Sequence, residues 1–244
     1  MISKNHIITV ANERYKDYLI VFLKSIKQHI GSPVRVIVIN DGLSNGFISE
    51  ARAIESTLLS IDFYNVEDDI RANLFKTDFK NPVYWRLIAP HIVEDDVRVI
   101  LYLDADIIIR EDISEIFDYD LAGNIAGACV DYLDKISLGI SNWKELGLEG
   151  NKPYFNAGVL LIDTKKYREE KIADKVFSIV KDNHTHLIAG GKWTQNDQYG
   201  LNVALYGKWI ILPQTYNYGS ELPIDLNAKI VHFIGNGKPG SKTC

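Results

Sequence analysis

The sequence predicts one α/β domain over residues 1–244, built on a mainly parallel central β-sheet. In the first hundred residues, short β-branched segments alternate with longer segments whose apolar residues recur at helical spacing, which is typical of βαβ units. Several predicted strands, such as VRVIVI and VRVILYL, are apolar at almost every position. Such strands belong in a sheet that is covered on both faces, as parallel sheets are.

The elements of the first half follow from these two periodicities. A strand is predicted over 6–11, and residues 14–30 form a helix because their apolar side chains share one face. Gly31 and Pro33 end that helix. The next predicted elements are a strand at 34–40, a helix near 47–59, a strand at 61–66, a short helix at 84–92 that bends or ends near Pro90, and a strand across 97–110.

The second half adds further strands and one amphipathic helix. The predicted strands lie at 124–131, 157–163, 208–212 and 229–234, and the helix covers 165–183. No internal repeat, low-complexity stretch or linker interrupts the chain, which favours one domain.

The composition is that of a soluble globular protein, with 46% hydrophobic and 24% charged residues. A net charge of −5 gives no electrostatic footprint for nucleic acid. The cysteines, Cys129 and Cys244, fit neither a disulfide framework nor a zinc site. The start lacks a signal peptide, and no stretch of about 18 apolar residues occurs. We therefore expect a cytoplasmic location, with peripheral association at the inner face of the membrane left open.

Two aspartates interrupt the apolar segment 97–110. Asp104 and Asp106 are costly to bury and repel each other. Side chains two apart in a strand point the same way, about 6.6 Å apart at their α-carbons, and ligands bind beyond the carboxyl ends of parallel strands. Mn²⁺ or Mg²⁺ would relieve the repulsion and present positive charge to a phosphate. Two alternatives remain: exposed acids in a loop, or the nucleophile pair of an aspartyl-phosphate phosphohydrolase.

Two later segments carry polar residues of the kind that line ligand sites. In PYFNAGVLLID, we expect Asn156, Ala157 and Gly158 to form a turn that opens a buried strand and lets backbone approach a ligand. In TQNDQYGLN, Asp197 and Gln198 lie at the start of a predicted helix. Helix capping is the alternative role for Asp197.

A third segment, IVHFIGNGKP, combines a histidine with a glycine-rich loop. His232 follows a predicted strand, and Gly235 and Lys238 lie where a loop could wrap phosphates. Imidazole binds Mn²⁺ and lysine neutralises phosphate, so this combination favours a metal-assisted phosphate site over a structural histidine.

Taken together, LYLDADIII, YFNAGVLLID, DQYGLN and HFIGNGKP occur in the order and spacing of the retaining glycosyltransferases of family 8. The sequence resembles this family from about residue 6 to residue 239, and in particular its bacterial lipopolysaccharide galactosyl- and glucosyltransferases. The resemblance implies a GT-A fold, a nucleotide-binding α/β sheet with a metal site at its centre. It also implies transfer of galactose or glucose from a UDP-sugar to a glycan acceptor carried on lipid, polysaccharide or protein.

The resemblance further implies roles for individual residues. Asp104, Asp106 and His232 would hold Mn²⁺, with Mg²⁺ as the alternative, against the diphosphate of the UDP-sugar. The other residues implied to bind the donor are Val10, Ala11, Asn12, Tyr15 (stacked on uracil), Arg86, Ala105, Ala157, Gly158, Gly235 and Lys238. The residues implied to line the sugar pocket or act in catalysis are Asp131, Asn156, Asp197 and Gln198. Because an amide is a poor nucleophile, we expect same-face attack, with Gln198 stabilising positive charge.

The sequence departs from the family pattern at three places. Asn12 and Arg14 stand where the family commonly has Asp and Asn, and Gly240 replaces the tryptophan of a KPW motif. The given sequence ends at Cys244, where relatives often continue into a basic, aromatic tail. These departures keep a second function open: a catalytically silent UDP-sugar-binding domain of a larger glycosylation protein.

Overall fold

The computed structural model describes residues 5–66, 82–183, 196–223 and 225–234. The strands are β1 (Asn5–Val10), β2 (Val34–Asn40), β3 (Leu59–Asn65), β4 (Val99–Leu103), β5 (Ile107–Ile109), β6 (Ala126–Lys135), β7 (Pro153–Asp163), β8 (Trp209–Ile211), β9 (Tyr218–Gly219) and β10 (Ile230–His232). The helices are α1 (Lys16–His29), α2 (Asn45–Arg52), α3 (Ile136–Gly139), α4 (Thr164–Glu169), α5 (Ile172–Asp182) and α6 (Asn196–Ala204). Segments of 3₁₀ helix cover Pro82–His91, Ser114–Asp118 and Gln214–Tyr216.

Seven strands form the central sheet in the order β3-β2-β1-β4-β7-β6-β8. The neighbours β3, β2, β1 and β4 are parallel, and β6 and β8 are parallel to each other. β7 runs antiparallel to both β4 and β6. The predicted α/β fold with a mainly parallel sheet is therefore confirmed.

Both faces of the sheet are covered, as the apolar strands predicted. In β4, Ile100 and Tyr102 belong to one buried cluster, whereas Leu101 and Leu103 belong to the cluster on the other face. α1 packs on the second face, and α5, α6 and the 3₁₀ helix Pro82–His91 pack on the first. None of the described helices is both long enough and apolar enough to cross a membrane.

The single strand predicted across 97–110 is wrong, because the segment forms two strands in different sheets. β4 ends at Leu103, and after a turn β5 pairs antiparallel with β10, which in turn pairs with β9. Ile107 and Ile109 stay buried, and the backbone N–H of Ile109 donates to Ser25 Oγ on α1 at 3.0 Å. The apolar run continues because both strands are buried, although the chain has changed sheet.

Other predictions need correction as well: the helix predicted near 47–59 is the shorter α2, Asn45–Arg52. The helix predicted over 165–183 is divided into α4 and α5 at Lys171, whose φ of 51° lies in the left-handed region. The turn predicted at residues 156–158 is instead the interior of β7, which begins at Pro153. β7 extends beyond the end of β4, where Leu103 pairs with Val159, and this extension continues to pair with β6.

Candidate active site

The candidate site lies beyond the carboxyl ends of β1 and β4. These strands are adjacent and parallel, so the residues that follow Val10 and Leu103 meet at one edge of the sheet. The backbone N–H of Asp104 donates to Gly158 O at 2.9 Å, and the backbone N–H of Phe233 donates to Asp106 O at 3.0 Å. The turn at 104–106 is thereby fastened to β7 on one side and to the end of β10 on the other.

Asp104, Asp106 and His232 converge, as predicted. His232 Nε2 lies 3.3 Å from Asp106 Oδ1 and 3.7 Å from Asp104 Oδ2. The side chains of Asp106 and His232 are buried, and that of Asp104 is 22% exposed. The three ligand atoms lie within 4.8 Å of one another, and two carboxylates this close are unfavourable unless positive charge lies between them. Because two carboxylate oxygens and one imidazole nitrogen are ligands that Mn²⁺ and Mg²⁺ accept, the residues fit a divalent cation.

Gly158 is required for this convergence. A Cβ at this position would lie 2.2 Å from His232 Cε1 and 2.9 Å from Asp104 Oδ2. Any side chain would push the imidazole away from the two carboxylates. The sequence analysis singled out Gly158 for close backbone approach to a ligand, and the close approach observed here is to the His232 ring.

Arg86 forms ion pairs with two of the predicted acidic residues, Asp104 and Asp197. Its Nη2 lies 3.1 Å from Asp104 Oδ1, its Nε lies 2.9 Å from Asp197 Oδ2, and its Nη1 donates to Ala157 O at 2.7 Å. Burial by itself lowers the pKa of Arg86, but Asp104 and Asp197 outweigh it and leave this pKa above its ordinary value. Burial raises the pKa of Asp197 although Arg86 opposes it. Arg86 is therefore a permanent buried cation that holds both carboxylates.

A second group of buried side chains surrounds Asp131. Asp131 Oδ2 accepts from Asn156 Nδ2 at 2.8 Å and from Gln198 Nε2 at 3.1 Å. Asp131 Oδ1 accepts from the backbone N–H of Leu133 at 2.9 Å. The Gln198 carbonyl accepts from the backbone N–H of Ala157 at 2.9 Å. These bonds fix the orientation of both amide side chains on β7 and α6.

The hydrogen bonds continue from Asn156 to His232. Asn156 Oδ1 accepts from the backbone N–H of Gly158 and from Asn217 Nδ2, each at 2.9 Å. Asn217 Oδ1 lies 2.9 Å from His232 Nδ1. Asn217 thus connects the buried amides to the metal-binding candidates.

A cavity of about 370 Å³ opens over these residues. Its lining is Val10, Ala11, Asn12, Arg14, Tyr15, Pro82, Val83, Arg86, Tyr102, Asp104, Ala105, Asp106, Asn156, Gly158, Asp197, Gln198, His232 and Ile234. Most of the predicted site residues are in this lining. Asp131 and Ala157 lie behind it and contact it through Asn156, Gln198 and Arg86. Gly235 and Lys238 lie outside the described residues.

Tyr102 and Asn217 form hydrogen bonds with predicted site residues, and the sequence analysis singled out neither of them. Tyr102 donates its hydroxyl to Asp104 Oδ1 at 2.7 Å, and its ring lies 4.9 Å from the Arg86 guanidinium. Its position two residues before Asp104 in an apolar strand was a usable signal, because alternate residues share a face. Asn217 follows the 3₁₀ helix Gln214–Tyr216 and carries no motif that could have identified it.

Comparison with solved structures shows the fold type. A complex of the galactosyltransferase LgtC with donor and acceptor sugar analogues superposes with a TM-score of 0.75 at 23% identity. The match covers 98% of this chain and 90% of LgtC. This similarity shows that the chain has the predicted GT-A fold.

Curated proteins are similar to this chain in sequence as well. General stress protein A of Bacillus subtilis is 25% identical, with 96% of this chain and 86% of that protein covered. Lipopolysaccharide 1,2-glucosyltransferase of Escherichia coli K12 is 29% identical, with 84% of this chain covered. This chain spans 63% of the length of the latter protein.

The sequence model described as "Glycosyl transferase family 8" matches residues 6–244, almost the whole chain. The match includes every residue of the site described above, together with Gly235 and Lys238. The chain belongs to glycosyltransferase family 8.

Proposed function

We propose that this chain transfers a hexose, galactose or glucose, from a UDP-sugar to a glycan acceptor with retention of configuration, with Mn²⁺ bound by Asp104, Asp106 and His232. The convergence of these three side chains in the cavity at the carboxyl ends of β1 and β4 carries the proposal. The names of two similar proteins support the sugar class, since one is a lipopolysaccharide glucosyltransferase and the other a galactosyltransferase.

The uridine is proposed to bind beside the loop that follows β1. Val10, Ala11, Asn12 and Tyr15 line this part of the cavity. Tyr15 is partly exposed and lines the cavity, and we propose that its ring stacks on uracil. Asn12 Oδ1 accepts from the backbone N–H of Arg14 at 3.0 Å, which holds the loop in a turn. From the sequence, the loop carrying Gly235 and Lys238 is proposed to contact the phosphates.

The proposed reaction breaks the bond between the anomeric carbon of the sugar and the diphosphate oxygen. It forms a bond from that carbon to an acceptor hydroxyl oxygen, whose proton passes to the departing diphosphate. When bound, a divalent cation would neutralise negative charge that develops on the leaving diphosphate. Asp106 and His232 are buried, so a cation between them would be shielded from water and its field correspondingly strong. Arg86 pairs with Asp104 and Asp197 and holds both carboxyl groups in position.

The sugar is proposed to lie against the cavity wall formed by β7 and α6, which Asn156, Asp197 and Gln198 line. Both polar groups of Gln198 are engaged, its carbonyl by Ala157 N–H and its NH₂ by Asp131. A rigid amide of this kind suits stabilisation of an oxocarbenium-like centre better than nucleophilic attack. We therefore favour same-face attack by the acceptor, and a covalent sugar on Asp197 or Asp131 would contradict it.

The experiment measures UDP release from UDP-galactose and from UDP-glucose with Mn²⁺, which needs no acceptor. We expect release by the unmodified protein and a loss of at least about a hundredfold in Asp106→Ala. Asp118→Ala, an exposed aspartate at the end of the 3₁₀ helix Ser114–Asp118, is the matched control and should retain activity. Binding of the UDP-sugar without UDP release would favour the silent binding domain. Phosphate release from simple phosphate esters would favour the phosphohydrolase.

A further inference from the structure

A chain of buried hydrogen bonds connects Asp131 to His232 through two asparagines. Asn156 Nδ2 donates to Asp131 Oδ2 at 2.8 Å, Asn217 Nδ2 donates to Asn156 Oδ1 at 2.9 Å, and Asn217 Oδ1 lies 2.9 Å from His232 Nδ1. All four side chains are at most 5% exposed. Because none of them can exchange its partner for water freely, the donor or acceptor role of each atom depends on its neighbour.

The donor-to-acceptor direction of this series of hydrogen bonds is set at Asp131 and Asn156. Asp131 Oδ2 accepts from Gln198 and Asp131 Oδ1 accepts from the Leu133 backbone N–H, so Asn156 meets an acceptor and turns its NH₂ group toward it. The opposite end of the same amide is fixed independently, because the backbone N–H of Gly158 donates to Asn156 Oδ1. Both constraints agree on one orientation of Asn156.

The remaining two steps follow from that orientation. Since Asn156 presents its carbonyl to Asn217, Asn217 must donate from Nδ2 and present its own carbonyl to His232. The Asn217 carbonyl accepts a hydrogen bond only if His232 carries a proton on Nδ1. In the neutral imidazole, that proton leaves the lone pair on Nε2, which faces Asp104 and Asp106.

We propose that Asn217 is a positioning residue that keeps His232 protonated at Nδ1 and directs the Nε2 lone pair toward the cation. Asp131 and the backbone N–H of Gly158 together set the orientation of Asn156, and through it that of Asn217. This inference deepens the proposed function and rests on it for the presence of the cation. It adds a role for Asn217 and a role for Asp131 that requires no contact with the sugar.

The first test is NMR spectroscopy of the protein labelled with ¹⁵N-histidine. We expect an imidazole Nδ1 proton that is protected from exchange with water, in the metal-free protein and with Mg²⁺ added. The chain has six histidines, and the His232→Ala variant identifies the signal by its loss. In Asn217→Ala the protected proton should disappear, whereas Asn217→Asp, which retains an acceptor for Nδ1–H, should keep it.

The second test is Mn²⁺ affinity, measured from the EPR signal of free Mn²⁺. Asn217→Ala should weaken binding about tenfold to a hundredfold, as loss of a hydrogen-bond partner of a ligand histidine does. Asn142→Ala is the matched control, because Asn142 is also buried and also makes two side-chain hydrogen bonds, to Asn183 and Tyr199. This control should lower stability and leave Mn²⁺ affinity unchanged.

Two results would overturn the inference: an unmodified protein without a protected Nδ1 proton on His232, or an Asn217→Ala variant that binds Mn²⁺ as tightly as the unmodified protein. A protein that binds no Mn²⁺ would instead refute the proposed cation site. In that case the Nδ1 proton, measured without metal, still decides whether Asn217 sets the protonated nitrogen.

Discussion

The substitution Gly158→Ala tests whether the cavity is built around a single arrangement of His232. The added Cβ would lie 2.2 Å from His232 Cε1 and 2.8 Å from its Nδ1. Ordinary van der Waals contact begins at 3.4 Å, so the Cε1 distance is more than an ångström too short. The neighbour is a buried ring held by Asn217, so it cannot swing into solvent as a flexible side chain would.

The loss of stability in Gly158→Ala follows from displacement of the His232 ring. Overpacking of a buried site costs about 1–3 kcal/mol, and loss of the His232–Asn217 hydrogen bond adds about 0.5–1.5 kcal/mol. We therefore expect Gly158→Ala to lower the free energy of unfolding by about 1.5–4.5 kcal/mol. Displacement of the imidazole should also weaken Mn²⁺ binding at least about tenfold.

Urea unfolding and Mn²⁺ titration measure the two effects. Gly127→Ala is the control, because Gly127 is also a glycine inside a strand of the central sheet and its added Cβ would meet leucine side chains at 3.1 Å or more. That variant should lose less stability and keep its Mn²⁺ affinity. Wild-type stability together with wild-type Mn²⁺ affinity in Gly158→Ala would show that His232 does not occupy the position described here.

Three further predictions concern buried groups near or below the site. Arg86→Lys should lower the free energy of unfolding by about 1–3 kcal/mol in urea, because one ammonium cannot reach both carboxylates that the guanidinium pairs with. Gly200→Ala should also destabilise, by about 1–2 kcal/mol in the same assay, since its Cβ would lie 2.7 Å from a valine methyl of α5. Burial raises the pKa of Cys129 to about 12, so in a Cys244→Ser variant a thiol reagent should react at neutral pH after unfolding and not before.

The strands of the central sheet are well predicted from the sequence because they are buried on both faces, so almost all of their residues are apolar. β2 was predicted over the residues it occupies, 34–40, where almost every side chain is apolar. The same signal fails at 97–110, since β4 and β5 are both buried and apolarity does not mark the change of sheet. The break between α4 and α5 at Lys171 is equally invisible, because neither glycine nor proline marks it.

The site was predictable to the extent that its residues lie in motifs. The spacing of Asp104 and Asp106 suggested a shared cation, and the glycine-rich segment after His232 suggested phosphate binding. Arg86 was identified only through the family resemblance. Its ion pairs join elements that are far apart in the chain, so no local sequence pattern marks them. Asn217 is a hydrogen-bonding residue in an irregular segment, and its partners are set by tertiary structure alone.

The two acids in the apolar segment are tolerable because the oxygens of Asp104 face different partners. Asp104 Oδ1 accepts from the Tyr102 hydroxyl and pairs with Arg86, so its negative charge is compensated on the side toward the sheet. Asp104 Oδ2 faces His232 and, with Asp106 Oδ1, bounds the candidate cation position. The Arg86 guanidinium also pairs with Asp197. A divalent cation bound between Asp104 and Asp106 would add positive charge at the place where a diphosphate would need it.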